Sequence, residues 1–318
     1  MNGAEQRPLF ESRHFRTEDG LKLHCRDYAG PAKPAFPVVC LPGLTRNSRD
    51  FEALAQHLAA RYRVLCLDFR GRGGSEYAPD PMSYVPRSYV RDLAVLLREL
   101  GCGPVALIGT SLGGLVSTLF SAIRPHQVLG LVLNDVGPEI DPKGLARIAS
   151  YVGKTQPVVT WEDAARAVEH LDRIVYPDYE AQDWMRTARR RYIQGADGKV
   201  RLDYDLSVAK SLSSPAATPD QWPFVRRLRH IPTMVIRGSV SDILARETTQ
   251  RMREAVPELK IVEVPNRGHT PTLEEPAALE AIDTFLAALS SRLSLTRRAR
   301  LALSSLMFQP TARDAGVI

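Results

Sequence analysis

Short apolar or β-rich runs alternate with helical patterns along most of this chain, and that alternation constrains the fold more than any other feature. The strand-like runs are LKLHCRDY (21–28), FPVVCLP (36–42), YRVLCLDF (62–69), PVALIGT (104–110), VLGLVLN (128–134), TMVIRG (233–238) and LKIVEVP (259–265). Between them FEALAQHLAAR, YVRDLAVLLREL and LGGLVSTLFSAI repeat apolar residues at spacings of three and four, as a helix with one buried face does. A strand that is apolar nearly throughout needs cover on both faces, and helices joining successive strands supply it. The expected fold is therefore α/β, with a mostly parallel central sheet and helices on both sides.

The alternation stops after Asn134 and resumes at TMVIRG. From about Asp135 to Phe224 strand signals fade and helical patterns such as WEDAARAVEHLDRIV and DWMRTARRRYI dominate. The expected organisation is one α/β core, residues 1–135 and 225–290, with an inserted helical cap over 136–224 and a basic C-terminal tail over 291–318. All three tryptophans, Trp161, Trp184 and Trp222, fall in the insert, where they either line an apolar substrate pocket or form the core of the lid itself.

A chain of 318 residues can bury a large core. Its 44% apolar and 25% charged content is ordinary for a soluble globular protein, and no apolar run reaches the ~18 residues of a membrane span. The N-terminal stretch MNGAEQRPLFESRHFR has neither the apolar run of a secretory signal nor the acid-poor character of a transit peptide, so a cytoplasmic location is expected. The formal charge of +6 suggests nucleic acid only until it is mapped. From Ser290 onward five arginines accompany one acid, a net of +4, which leaves +2 for everything else. No nucleic-acid partner is expected, and the tail reads as a loosely docked terminus rather than a helix for a membrane surface. A second cluster, Arg186 with Arg189, Arg190 and Arg191, reads as a solvated helix face, the alternative being a site for an anionic ligand. Cys25, Cys40, Cys66 and Cys102 contain no C-x-x-C pair and read as reduced core thiols.

Within this frame the stretch VALIGTSLGGLV (105–116) carries chemistry. A strand that turns sharply into a helix at Gly-x-Ser-x-Gly is a nucleophile elbow, in which the serine takes a strained conformation and its hydroxyl stands clear of the sheet. Gly109 and Gly113 provide room for the turning backbone, and the helix beginning near Leu112 aims its free N–H groups at the site. Serine needs a base to take its proton and a carboxylate to orient that base. In chain order the partners should follow as acid, then histidine, each in a loop at the carboxyl end of a strand. Asp242 in SVSDIL, after TMVIRG, is the expected acid, and His269 in NRGHTPTLEEP, after LKIVEVP, the expected base. Asp135, just past VLGLVLN, is the rival acid. His14, His24, His57, His126, His170 and His230 suit structural or exposed roles. The oxyanion formed by carbonyl attack needs two donors, for which the candidates are the backbone N–H groups of Leu112 and of Leu44 in the PGL loop.

On these motifs the chain resembles the capped, cofactor-free branch of the α/β-hydrolase superfamily over roughly residues 10–290. LPGL (41–44) stands at the oxyanion loop, DFRGRGGS (68–75) is similar to an Asp-x-Arg-Gly-x-Gly-x-Ser turn, GTSLGG is the elbow, SVSDIL the acid loop and RGHTPTLEEP the histidine loop. Pro42 replaces the usual histidine of the oxyanion loop. Ser111 argues against the dehalogenase-like branch, whose nucleophile is aspartate, and LPGLTRNS lacks the Ser-Gly-Pro-Gly type loop of the C–C bond hydrolases. The resemblance implies a serine-dependent hydrolase of a small, apolar or aromatic ester or lactone that needs no cofactor and no metal. C–C bond cleavage or perhydrolysis by the same triad is the alternative, and a non-catalytic ligand receptor on the same scaffold is the third reading.

Overall fold

The computed structural model describes residues 8–32, 34–154, 158–212 and 220–307. An antiparallel pair, β1 (Glu11–Arg16) and β2 (Lys22–Tyr28), opens the chain. There follow β3 (Pro37–Leu41), α1 (Glu52–Ala59), β4 (Arg63–Leu67), α2 (Pro86–Glu99), β5 (Val105–Thr110), α3 (Leu112–Ile123) and β6 (Val128–Asn134). The chain then leaves the sheet through α4 (Pro142–Tyr151), α5 (Trp161–Asp172), α6 (Ala181–Arg191), a hairpin of β7 (Tyr192–Gln194) and β8 (Val200–Leu202), α7 (Val208–Leu212) and α8 (Trp222–Arg227). It returns as β9 (Thr233–Gly238), α9 (Arg246–Ala255), β10 (Lys260–Val264) and α10 (Pro276–Met307). The eight-stranded sheet runs β1-β2-β4-β3-β5-β6-β9-β10, parallel from β4 to β10, with β2 antiparallel to β4.

Each central strand feeds two cores because its side chains alternate across the sheet. Val39, Leu41, Leu107, Leu131 and Val235 pack on one face against Phe120 of α3 and Leu93 and Leu96 of α2. Val38, Cys40, Ile108, Val132 and Ile236 pack on the other, against Leu54 and Leu58 of α1 and Ile282 and Phe285 of α10. Burying each of these large side chains contributes about 1.5–3 kcal/mol, which is why near-continuous apolar runs read correctly as strands covered on both sides. Cys25, Cys40 and Cys66 are buried free thiols, and Cys102 is a partly buried one. Burial lifts the Cys25 thiol to about 12.

Three features differ from the reading of the sequence. β1 carries ESRHFR, four of whose residues are charged or imidazole side chains, so it has no apolar signature; it is held by pairing with β2 at the sheet edge. The insert is not wholly helical, since β7 and β8 form a short hairpin, and α8 packs on α3 of the main core. The final helix does not end near residue 290. Residues 290–307 contain neither glycine nor proline, and their leucines, alanines and arginines favour continuation of α10 to Met307; the rest of the expected tail, 308–318, lies outside the described residues. Among the described residues no helix is long and apolar enough to cross a membrane.

The helices of the insert start on local hydrogen bonds. Thr160 and Asp163 close a reciprocal capping box on α5, and the Asp141 carboxylate caps α4 ahead of Pro142 at its first position. Ala164, Val168, Trp184, Ala188 and Tyr192 form a core of the insert's own, with Trp161 packed against it. Trp222 instead donates its indole N–H to Glu139 at 2.8 Å. The tryptophans thus stabilise the insert and its base, and none of the three lines the cleft described below.

Candidate active site

The parallel strands bring three loops to one edge of the sheet. Ser111 follows β5 directly and precedes α3, with φ 51° and ψ −115°, a left-handed conformation that costs a non-glycine residue free energy. Its amide donates to Asn134 O at 3.0 Å, tying the turn to the end of neighbouring β6. The glycines are required by close approach: a Cβ on Gly109 would stand 2.4 Å from Gly113 O, and one on Gly113 only 2.0 Å from Leu41 O. Those contacts let α3 start against β3 and β5 with Ser111 at its N-terminal end.

His269 Nε2 lies 2.9 Å from Ser111 Oγ, and His269 Nδ1 lies 2.8 Å from Asp135 Oδ2. Asp135 is fully buried. Its Oδ1 accepts the Gly238 amide at 2.9 Å, and its Oδ2 also accepts the Ser241 hydroxyl at 2.6 Å. A buried carboxylate with this many donors is held in one orientation and stays competent to stabilise an imidazolium. The imidazole in turn is placed to take the serine proton.

Asp242, the expected acid, stands elsewhere. Its carboxylate forms a two-pronged ion pair with Arg147 of α4, at 2.6 and 2.9 Å. Burial would raise this carboxyl, but the Arg147 hydrogen bonds and charge outweigh burial and hold it below the usual range. The reason that Asp135, and not Asp242, meets His269 is geometric. Asp135 has φ 55°, and from the end of β6, next to the strand that carries Ser111, its side chain reaches the imidazole. Ser241, beside Asp242, supports that carboxylate, a role that sequence reasoning did not assign; the only sequence signal for the pair was an acid directly after the β6 run.

Leu112 and the loop of Leu44 both adjoin Ser111. Leu112 is the first residue of α3, where an amide has no carbonyl four residues back to bond. The loop of Leu44 abuts the serine, since a Cβ on Gly43 would lie 3.9 Å from Ser111 Cβ. Arg72, fully buried, braces this loop through Nε to Leu44 O at 2.9 Å and bonds Arg70 O and the Tyr89 hydroxyl. Pro42 therefore leaves the loop anchored by an arginine from the 68–75 turn. Of the other histidines, His24 pairs with Asp68 and His57 with Asp283, both away from Ser111.

Ser111 and His269 open into a cleft of about 810 Å³, counting the space at its mouth. Gly43, Leu44, Ile148, Tyr151, Val152 and Tyr176 contribute walls, together with Arg46, Asp50, Asp172, Arg190 and Arg191. An apolar pocket walled by the insert's tryptophans was one of the two readings; the lining is instead rich in charge. Arg46 is bound bidentately to Asp50, both bonds at 2.6 Å. Arg191 bonds Asp172, whose carboxyl is lifted by burial to about 6 against the pull of Arg46, Arg147 and His269. The arginine cluster of α6 is divided: Arg186 pairs with Asp183 and Arg189 lies 3.9 Å over the Trp161 ring, while Arg190 and Arg191 face the cleft.

Known proteins are similar to this chain over most of its length. A 3-hydroxybutyrate-oligomer hydrolase of Cupriavidus necator is 34% identical over 272 residues, covering 83% of this chain and 92% of its own length. A 2-(acetamidomethylene)succinate hydrolase of Mesorhizobium japonicum is 30% identical over 77% of this chain and 85% of its own. The crystal structure of an alpha/beta hydrolase from Novosphingobium aromaticivorans superposes with a TM-score of 0.83 at 46% identity, covering 88% of this chain and 98% of that one. The model of the alpha/beta hydrolase family matches residues 38–282, which include the elbow, both candidate acids and His269. With more than half of its length matched and its sheet order and serine turn as described, the chain belongs to the alpha/beta hydrolase family.

Proposed function

We propose that this protein is a serine-dependent hydrolase of small carboxylic esters working through an acyl-enzyme. The observation that carries the reading is the continuous hydrogen-bonded line from Ser111 Oγ through His269 to the buried carboxylate of Asp135. His269 Nε2 accepts the Ser111 proton as the oxygen attacks the ester carbonyl, and Asp135 stabilises the imidazolium and fixes the tautomer. The Leu44 and Leu112 amides receive the oxyanion, aided by the positive end of α3. The imidazolium returns its proton to the departing alcohol, and a water activated by the same imidazole hydrolyses the acyl-enzyme.

The ester reading draws further support from the relative named for hydrolysis of 3-hydroxybutyrate oligomers. The acid is assigned to Asp135 in preference to Asp242, because Asp242 is engaged by Arg147. A fluorophosphonate probe tests the reading: the wild-type protein should be labelled at Ser111 and turn over 4-nitrophenyl esters, and Ser111→Ala should do neither. A protein that binds small esters yet is never labelled is a receptor on this fold, and one that cleaves a ring-fission dienoate but no ester is a C–C bond hydrolase.

A further inference from the structure

The charged wall of the cleft has no part in the Ser111, His269 and Asp135 relay, and its donors outnumber their acceptors. Three guanidiniums, Arg46, Arg190 and Arg191, share the lining with two carboxylates, Asp50 and Asp172. Each guanidinium carries five N–H groups. Arg46 gives Nε and Nη2 to Asp50, and Arg190 Nη2 forms an ion pair at 2.6 Å with Glu274, which stands outside the lining. Arg191 gives Nη2 to Asp172, while its buried Nε has no partner among the described residues. Donors are thus left over on all three side chains, in the cleft that Ser111 also lines. Asp172 shows the same bias from the other side, since its carboxylate is buried beside Arg46 and Arg147 as well as Arg191.

A guanidinium binds a carboxylate through parallel hydrogen bonds, and such bonds are strong where water is largely excluded. Each guanidinium already has one carboxylate partner, Asp50, Glu274 or Asp172, so the wall is balanced and its spare N–H groups suit a singly charged carboxylate better than a phosphate monoester of nearly two charges. Ile148 and Tyr151 supply apolar wall in the same cleft. We infer that Arg46, Arg190 and Arg191 form a carboxylate-recognition wall, so that the preferred substrates are esters bearing a second, anionic carboxylate. This rests on the serine-hydrolase reading above and specifies its substrate class.

The test uses pairs of esters. Mono-4-nitrophenyl esters of straight-chain diacids, succinate through suberate, are compared with their methyl 4-nitrophenyl diesters, and a further pair carries the free or methylated carboxylate on the leaving group. Spontaneous hydrolysis is subtracted in each case. For at least one pair the wild-type enzyme should favour the acid by about tenfold in kcat/KM, the scale of one charge-assisted hydrogen bond. That preference should shrink with added salt. Arg191→Gln should cut the acid-to-methyl-ester ratio by about tenfold, whereas Asp172→Asn, which removes a competing anion, should raise it by about threefold. A merely structural role would move both variants in the same direction. Preference of the wild-type enzyme for the neutral ester in every pair overturns the inference even if neither variant folds. If Ser111 is still labelled by the fluorophosphonate in that case, the serine-hydrolase reading survives; if it is never labelled, that reading falls as well.

Discussion

The molecule holds two Ser–His–Asp lines of nearly equal hydrogen-bond geometry. In one, Ser111 Oγ, His269 and Asp135 are joined at 2.9 and 2.8 Å. In the other, Ser12 Oγ lies 3.0 Å from His24 Nε2, and His24 Nδ1 lies 2.7 Å from Asp68 Oδ2. Everything around them differs. Ser111 is strained at the N-terminal end of a twelve-residue helix and opens on a cleft. Ser12 is an exposed residue of β1, the edge strand, with ordinary strand backbone and no helix N-terminus behind it. Asp68 works on the fold: its Oδ1 accepts the Ser48 amide at 2.5 Å, its Oδ2 accepts the Gly74 amide at 3.0 Å, and its backbone carbonyl takes the Ser75 hydroxyl. The second line therefore pins the 68–75 turn, whose Arg72 braces the Leu44 loop. A proton relay is a common product of packing; what separates a site from a structural network is a place for the carbonyl and donors for its developing charge.

Paired variants can break or sharpen this contrast. The largest effect is expected at the nucleophile, where Ser111→Ala should lower kcat for a 4-nitrophenyl ester by a factor on the order of 10⁶. Ser12→Ala should leave turnover within about twofold, as surface substitutions do, and comparable losses in the two variants would erase the distinction. Next comes the acid. Asp135→Asn should reduce kcat by about 10⁴ by presenting the wrong tautomer of the imidazole, whereas Asp242→Asn should cost less than about tenfold, since it breaks only the Arg147 pair. The reverse ranking in steady-state assays would return the role to Asp242. Smaller still, and read in stability rather than rate, Asp68→Asn should lower the unfolding free energy by about 3 kcal/mol, because the amide nitrogen cannot accept from the buried donors that face one of the two carboxylate oxygens. Urea titration with circular dichroism measures it. At the bottom of the scale, the Ser12→Ala change should cost at most about 1 kcal/mol in the same titration.

The difference between the two lines also shows which parts of the site were legible in the chain. Gly109, Ser111 and Gly113 are neighbours in sequence, and the steric demand of a strand turning into a helix is local, so the elbow could be read directly. His269 followed from its loop after the β10 run. The Ser12, His24 and Asp68 line was invisible, because it depends on β1, a strand without apolar alternation whose register with β2 brings Ser12 within reach of His24. The sequence could not separate Asp135 from Asp242 for a related reason. Both follow apolar strands at the same sheet edge, and they are separated by a positive φ at Asp135 and by an arginine, Arg147, contributed from the insert. The cluster around Arg186 was similarly ambiguous until folding of the α5 and α6 pair turned Arg190 and Arg191 inward.

By itself the amino-acid order determined the layers of the fold, the turn that presents Ser111 and the chain order of its partners, because these depend on periodicity and on steric room within a few residues of one another. Tertiary structure decided which carboxylate meets His269, that Arg72 braces the Leu44 loop, and that the cleft is walled by guanidiniums and not by tryptophans. Such outcomes depend on hydrogen bonds and ion pairs between residues far apart in the chain. Buried polar groups settle on whichever partner the packing brings within reach, and no local pattern records that competition.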